Sequence, residues 1–415
     1  MELSDSPEEA AFRAEAREWL SAHAPAFEAQ FPAVPPHLQA ANSPEEYGKH
    51  ERKSHDAARA WQAELHKGGW AGISWPKKFG GRGASPIQTA IFAEEQARFT
   101  VSNGPLMVSI NMVGPTLMAH GTEQQQLDHL EKIISGREIW CQLYSEPGAG
   151  SDLASLRTRA VLDGDEYVVN GQKVWNSSAR AADWAILLAR TDLDVPKHRG
   201  ITYFIVDMRT PGIDVRPLRQ ASGAYHFNEV FLTDVRIPVA NVLGEPGEGW
   251  NVARTTLANE RAMIGGAGSR GQVPSLIELA RKNGKSADPV VRQGIADVVT
   301  RNEILRYLGL RTRTALSKGV PPGPEASVMK LLVGQYMTAA ADLGLQIEGT
   351  AGTLAGEDAP SSGEWQYARN SVWAVKIGGG TDEIQRNVLA ERVLGLPREI
   401  QVDRDIPFRD LQGRG

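Results

Sequence analysis

The stretch "IWCQLYSEPGAGSDLASLRTRAVLDGDEYVVNGQKVWNSS", residues 139–178, decides how the chain is read. Before it, apolar residues recur at helical spacing. From Ile139 they fall into short β-rich runs instead. "VLDGDEYVVNG" carries hairpin chemistry, with Asp163-Gly164 as the turn signal. "WAILLAR", "ITYFIVDM", "IDVRPL" and "NEVFLTDVRI" extend the β character to about 245. After "GEPGEGW" helical periodicity returns and lasts to about 395, including the amphipathic run "DPVVRQGIADVVTRNEILRYLGLRTRTALSKG". Helices, then strands, then helices, with no βαβ alternation, argue against a Rossmann fold. The pattern predicts an α+β chain, mostly α. It has an N-terminal helical domain (1–138), a central β-barrel-like domain (139–245) and a C-terminal helical bundle (246–415). The ending "QVDRDIPFRDLQGRG" reads as a polar surface tail.

Composition limits the function classes. The chain has 415 residues, enough for about two or three domains. Hydrophobic residues make up 41% and charged residues 23%, as in an ordinary globular protein. A net charge of −5 gives no global pull toward nucleic acid or an anionic membrane. The single cysteine, Cys141, excludes an internal disulfide framework and a Cys-based zinc site, and no metal is expected. No apolar run approaches the roughly 18 residues of a membrane span. The start "MELSDSPEEAAFRAEAREWL" is acidic and amphipathic, unlike a secretory signal, so the expected compartment is the cytoplasm.

Local signals place the first elements. A helix is predicted over 4–25, with Ser6 as N-cap, Pro7 at the first turn and Glu9 completing a capping box. Phe12, Ala16, Trp19 and Leu20 share one face. Residues 27–45 read as a Pro-rich loop that decorates the surface. Helices follow over about 46–69 and, after the loop "GISWPKKFGGRGAS", up to about 137, with a new one capped by Thr122.

Two segments of the opening stretch carry chemistry. Glu146 to Asp152 form a loop of small residues whose backbone N–H groups suit phosphate or the polar edge of a flat ring. An ordinary Gly-rich turn has the same composition. Trp175, with Ser177 and Ser178 after it, offers a stacking face beside hydroxyls, which suits a planar heterocycle as well as it suits a β-domain core. "GAGSRG", with glycines at 266, 268 and 271, matches GxGxxG but follows a helical pattern, so close helix packing explains it better than dinucleotide binding. A third Gly-rich piece, "VKIGGGTDEIQRN" (375–387), interrupts a helical region and signals close approach of bare backbone.

"YSEPGAGSD", "NGQKVWNSS", "DVRIPVANVLGEPGEGW", "QIEGTAG" and "GGTDEIQRN" occur in this order and spacing over nearly the whole chain, which thereby resembles the acyl-CoA dehydrogenase family of flavoproteins. The resemblance implies FAD as cofactor, an acyl-CoA or similar acyl thioester as substrate and electron-transfer flavoprotein as acceptor. It implies that Tyr144, Ser145, Gly150 and Ser151 line the flavin's pyrimidine edge and the thioester tunnel, with Ser151 also touching substrate. Trp175 packs on the ring and Ser177 lies near flavin N5. Gln346, Gly349 and Thr350 reach the FAD pyrophosphate of a neighbouring subunit, and Thr381 and Glu383 contact FAD near its ribityl and adenosine parts. A dimer or homotetramer follows, with a heteromer possible. The family's Arg-x-x-Phe-Gly motif corresponds to "ARKNGKSADPVVRQ", which lacks the Phe; Arg281 and Gln293 match the cofactor-facing positions.

In many members a catalytic glutamate stands two residues before the Thr matching Thr381. Here that residue is Gly379, which has no side chain to take a proton but still offers its backbone N–H to a thioester carbonyl. A minority of members place the base on the helix entering the C-terminal domain, where "LANER" supplies Glu260. The helical stripe Trp250, Ala253, Leu257 and Ile264 puts Glu260 roughly 50° from its centre. Arg261, beside it, is the expected contact to CoA. Two other readings stay open: a flavin monooxygenase or oxidase on the same fold, and a non-catalytic partner subunit of a heteromeric dehydrogenase.

Overall fold

The computed structural model describes residues 5–39, 41–266, 272–320, 323, 326–354, 356–400 and 402–411; the side chains of 261–266, 326 and 357 lie outside that description. Helices α1 (Pro7–Gln30), α2 (Pro44–Lys67) and α3 (Pro86–Gln96) each begin with a Ser-Pro pair. The serines, Ser6, Ser43 and Ser85, accept from the backbone three residues on, and proline occupies a position whose N–H has no helical partner. Thr122 caps α5 (Glu123–Ile134), which follows the short α4 (Gly114–His120).

Helix α1 runs five residues past the predicted end, through Pro25, and its buried line is Phe12, Ala16, Leu20 and Ala24. Residues 31–43 do not merely decorate. Ala41 and Tyr47 pack with Ala224 and Tyr225 in a small core of their own, and the Ala41 N–H donates to the Gly223 carbonyl at 3.4 Å.

The predicted β runs all form strands. The sheet comprises β1 (Trp140–Leu143), β2 (Arg159–Asp163), β3 (Glu166–Ser177), β4 (Trp184–Arg190), β5 (Ile201–Asp207), β6 (Ile213–Pro217) and β7 (Phe227–Pro238). Their order is β1-β4-β2-β3-β7-β6, with β5 paired to β4. The β2–β3 hairpin pairs Asp163 with Glu166, so the turn itself is Gly164-Asp165, with Gly164 at φ 66°.

Helix α6 (Gly249–Gly266) then leaves the sheet, with Val252 and Ala253 buried in the same core as α1 and α5. The bundle continues with α7 (Gln272–Lys282), α8 (Pro289–Ser317), α9 (Ala326–Glu348), α10 (Glu364–Ile377) and α11 (Asp382–Arg392), packed around Tyr336, Ala340, Ile347 and Trp365.

The C-terminal segment corrects the sequence reading. It is docked, not a free surface tail. Phe408, in the short α12 (Phe408–Leu411), is buried over the Arg190 guanidinium, 3.5 Å from the ring centroid. Arg190 is itself buried and held by the carbonyls of Ala154, Leu156 and Lys197. Lys197 bridges to Asp403 at 2.8 Å. One aromatic over one fixed cation ties down an otherwise polar stretch.

Candidate active site

The Gly-rich loop after β1 is held from inside the sheet. Glu146 is buried, and its carboxylate accepts from the backbone N–H groups of Arg157 (2.6 Å) and Thr158 (2.8 Å). It also accepts from the Lys173 ammonium at 2.8 Å, and Lys173 donates as well to the Tyr144 carbonyl at 3.0 Å. Burial pushes the Glu146 carboxyl up, but the Lys173 charge and these hydrogen bonds outweigh it and hold the pKa below the ordinary range. The sequence reading took this loop for small residues alone. A lysine at an inward position of β3 was the available signal for its anchor.

With the loop fixed, Gly148 and Gly150 both front open space, and Ser151 is exposed beside them. Trp175 projects from the end of β3, 60% exposed, with φ 66°. A bulge between Lys173 and Asn176 turns it outward, and its ring stands edge-on to Phe227, with centroids 6.0 Å apart. A tryptophan in left-handed backbone with a free face is a strained and exposed platform. Ser177 follows it, half-buried.

Tyr144 lies under the loop, 3% exposed. Its hydroxyl sits near those of Tyr203 and Thr256 without meeting either in hydrogen-bond geometry. Burial first, then the neighbouring Tyr203 and the charge of Glu260, raise its pKa. Thr116 donates to the Met112 carbonyl (2.8 Å), which leaves its oxygen to accept from Thr256 (3.0 Å), which in turn accepts from Tyr203 (3.0 Å). A buried phenol lacking a partner, glycines fronting open space and an exposed indole together fit a flat, polar-edged ring such as FAD carries.

Among the described side chains of α6, Val252, Ala253 and Thr256 are fully buried, and Trp250 and Leu257 of the predicted stripe pack, partly buried, against the same core as Ala253; Ile264 lies outside the described side chains. Glu260 lies one turn beyond Thr256, about 40° around the helix, and is half-buried with its charge felt at Tyr144. The side chain of Arg261 lies outside the described residues, as do Gly268 and Gly271 of the GxGxxG match.

The three glycines after α10 have a backbone reason. Gly378 caps α10, and Gly379 (φ 64°) and Gly380 (φ 88°) are left-handed, turning the chain into α11. The Gly379 carbonyl accepts from Gln385 Nε2 at 3.0 Å. Thr381 caps α11 through the Ile384 N–H. Lys330 of α9, a residue the sequence reading did not single out, donates to the Lys376 carbonyl (2.8 Å) and to buried Asp382 (3.0 Å), which fixes both sides of the turn.

The remaining predicted cofactor positions lie on the bundle's exterior. Arg281, Gln293, Gln346, Gly349, Thr350 and Glu383 are exposed. Lys285, also missed, donates to the Gln346 carbonyl at 3.3 Å and stands next to Gly349. Among the described residues no helix is long and apolar enough to cross a membrane, and no His/Cys/Asp/Glu group is arranged to hold a metal ion.

Models of the acyl-CoA dehydrogenase N-terminal, middle and C-terminal domains match residues 6–137, 141–235 and 247–394. The chain is 39% identical over 356 residues to the acyl-CoA dehydrogenase IpdE1 of Mycobacterium tuberculosis, covering 84% of this chain and 90% of that protein. Among solved structures it is similar to the Tcur3481-Tcur3483 steroid ACAD, with a TM-score of 0.79 and 31% identity over 96% of this chain and 100% of that one. It is also similar to the ChsE4-ChsE5 complex from Mycobacterium tuberculosis, with a TM-score of 0.75 and 32% identity over 96% and 100%.

Proposed function

The chain belongs to the acyl-CoA dehydrogenase family of FAD-dependent oxidoreductases, and from that premise we propose that it desaturates an acyl thioester with Glu260 as the base. The observation that supports this is that Glu260 lies one turn past buried Thr256 on α6, with its charge felt at the buried Tyr144 hydroxyl. Gly379, at the position where many relatives carry the carboxylate, has no side chain to compete.

In this mechanism the Glu260 carboxylate takes the proton from Cα. The electron pair of that bond forms the new Cα–Cβ double bond as the Cβ hydrogen departs with its own pair. FAD, when bound, supplies the acceptor for that hydride. The Gly379 N–H donates to the thioester carbonyl and acidifies Cα. Ser151 and Arg261 hold the thioester and CoA ends. Tyr144, Ser145, Gly150, Ser151, Trp175 and Ser177 hold the ring, and the clamp of Glu146 on Lys173 keeps that set in register. A base correctly placed for a C–H acid contributes about 10²–10⁴-fold.

The exposed positions Arg281, Gln346, Gly349, Thr350 and Glu383, with Lys285, suit contact with the pyrophosphate and adenosine of FAD on a second chain. The working form is therefore an assembly, of like chains or with an unlike partner, that passes electrons to an electron-transfer flavoprotein in the cytosol. Mass measurement of the purified protein, with a search for a second co-purifying chain, separates homomer from heteromer. The function itself is tested by anaerobic titration of the yellow protein with a panel of acyl-CoAs. Bleaching of the flavin by at least one supports it. Bleaching by none, with rapid reaction of reduced flavin with O₂, favours the oxidase reading.

A further inference from the structure

A cavity of about 360 Å³ opens beside Ser177 and Ser178, between α2, the 104–108 turn, β1 and the His226 segment. Met107, Val108 and Trp140 give it apolar walls. The wall from α2 is different. Tyr47, Glu51 and His55 recur at helical spacing and form one buried polar stripe, with exposed Ser54 at its rim, where a buried helix face is ordinarily apolar. Tyr47, Glu51 and His55 are each less than 9% exposed.

The polarity of this wall is resolved atom by atom. Glu51 is answered by Arg180, at 2.5 and 3.1 Å, so its charge is spent within the protein. His55 Nδ1 lies 2.7 Å from the Glu51 backbone carbonyl. A carbonyl only accepts, so Nδ1 carries the proton and donates. In the neutral ring Nε2 is then a lone-pair acceptor. It is buried and has no hydrogen-bond partner. His226 lines the same cavity from its exposed rim, where protein packed around the imidazole lowers its pKa.

We propose that this cavity is the subsite for the acyl portion of the substrate, and that it selects an acyl group bearing a hydroxyl, which donates to His55 Nε2. The placement rests on the dehydrogenase reading, because Ser177 is the residue assigned beside the reacting Cβ. The selectivity rests on the cavity alone. A plain hydrocarbon chain would displace water from Nε2 and leave it unsatisfied, which weakens its binding. A ketone has no hydrogen to donate. A carboxylate is acceptor-only and likewise has nothing to donate to Nε2. An alcohol meets the acceptor and adds no charge.

The test uses the FAD-loaded protein and products that cannot be oxidised further at Cα–Cβ: cyclohex-1-ene-1-carbonyl-CoA and its 3-, 4- and 5-hydroxy derivatives. Dissociation constants are read from the change in the flavin spectrum. At least one hydroxylated isomer is expected to bind about tenfold tighter than the parent. His55→Leu is expected to erase that preference while retaining full flavin content. The proposal is overturned if the wild-type protein binds no isomer more tightly than the parent, which needs no variant to establish. It is overturned equally if His55→Leu keeps the preference. The saturated counterparts are tested in parallel for flavin bleaching. Tight, His55-dependent binding without bleaching would uphold the subsite while removing the dehydrogenase reading, so the two failures are distinct.

Discussion

Replacing Lys173 with Met tests whether the flavin loop depends on one buried ion pair. Lys173 is fully buried and bonds both the Glu146 carboxylate at 2.8 Å and the Tyr144 carbonyl at 3.0 Å. Methionine fills similar space without a charge. Glu146 would keep its two backbone donors, at Arg157 and Thr158, but would be a buried anion with no counter-charge. Breaking such a pair from one side costs about 3–5 kcal/mol. Neutralising the other side as well should return most of that. In Lys173→Met with Glu146→Gln no charge is stranded, and the single amide oxygen keeps one of the two N–H bonds that the two carboxylate oxygens made, so the deficit should shrink to about 1–3 kcal/mol, the cost of the N–H left without its acceptor. Guanidinium unfolding followed by circular dichroism measures all three proteins, and flavin absorbance measures FAD retention. The single variant should also lose FAD on dilution, because Tyr144 to Ser151 lose their anchor. A single-variant cost below about 1 kcal/mol, or a double variant no more stable than the single, would refute the clamp.

Other outcomes follow from the same geometry. Gly379→Glu in a Glu260→Gln background should not restore turnover, because the new side chain must adopt φ near 64°, a strain of about 1–2 kcal/mol, and approaches from the turn rather than from α6; wild-type kinetics in that pair would refute this. Glu95 is held at a pKa of about 2, first by its hydrogen bond to Arg17 and, against the opposing effect of burial, by Arg13 and Arg98. Because the folded value lies below the ordinary 4.5, its contribution is complete above pH 4.5 and is lost as pH falls toward 2. Glu95→Gln should therefore lower stability at pH 7 by about 1–3 kcal/mol, discounted for the half-exposed Arg17 and Arg98, and flatten the stability profile across that window; an unchanged acid slope would contradict it.

The architecture was legible where local chemistry and burial agree. Ser6 with Glu9, and Thr122 with Gln125, form the capping boxes that mark α1 and α5. The five β runs after Val161 are strands because inward residues such as Val169, Leu187, Phe204 and Val235 recur in short blocks. What escaped the sequence were contacts between distant segments. Nothing near Phe408 announces that Arg190, over two hundred residues earlier, waits beneath it. The anchoring role of Lys173 depends on Glu146 and the Tyr144 carbonyl, nearly thirty residues earlier, which only the fold brings to it. Tyr47, Glu51 and His55 share one face of α2, and only the cavity shows that this polar face is turned inward. The glycine run was read as room for a neighbour, and the left-handed angles of Gly379 and Gly380 give it a turn's reason as well. For Glu260 the helical period put it on a shoulder, and burial of Thr256 brings it nearer the centre of the packed face.

The most direct test of the account is Glu260→Gln, mixed anaerobically in a stopped-flow instrument with the acyl-CoA that best bleaches the wild-type flavin. Exchange of the Cα hydrogen with D₂O is followed alongside. The account predicts that FAD stays bound, flavin reduction slows by about 10³-fold or more, and Cα exchange stops with it. Reduction within tenfold of the wild-type rate, or undiminished Cα exchange, would mean that another group takes the proton and that Glu260 is not the base.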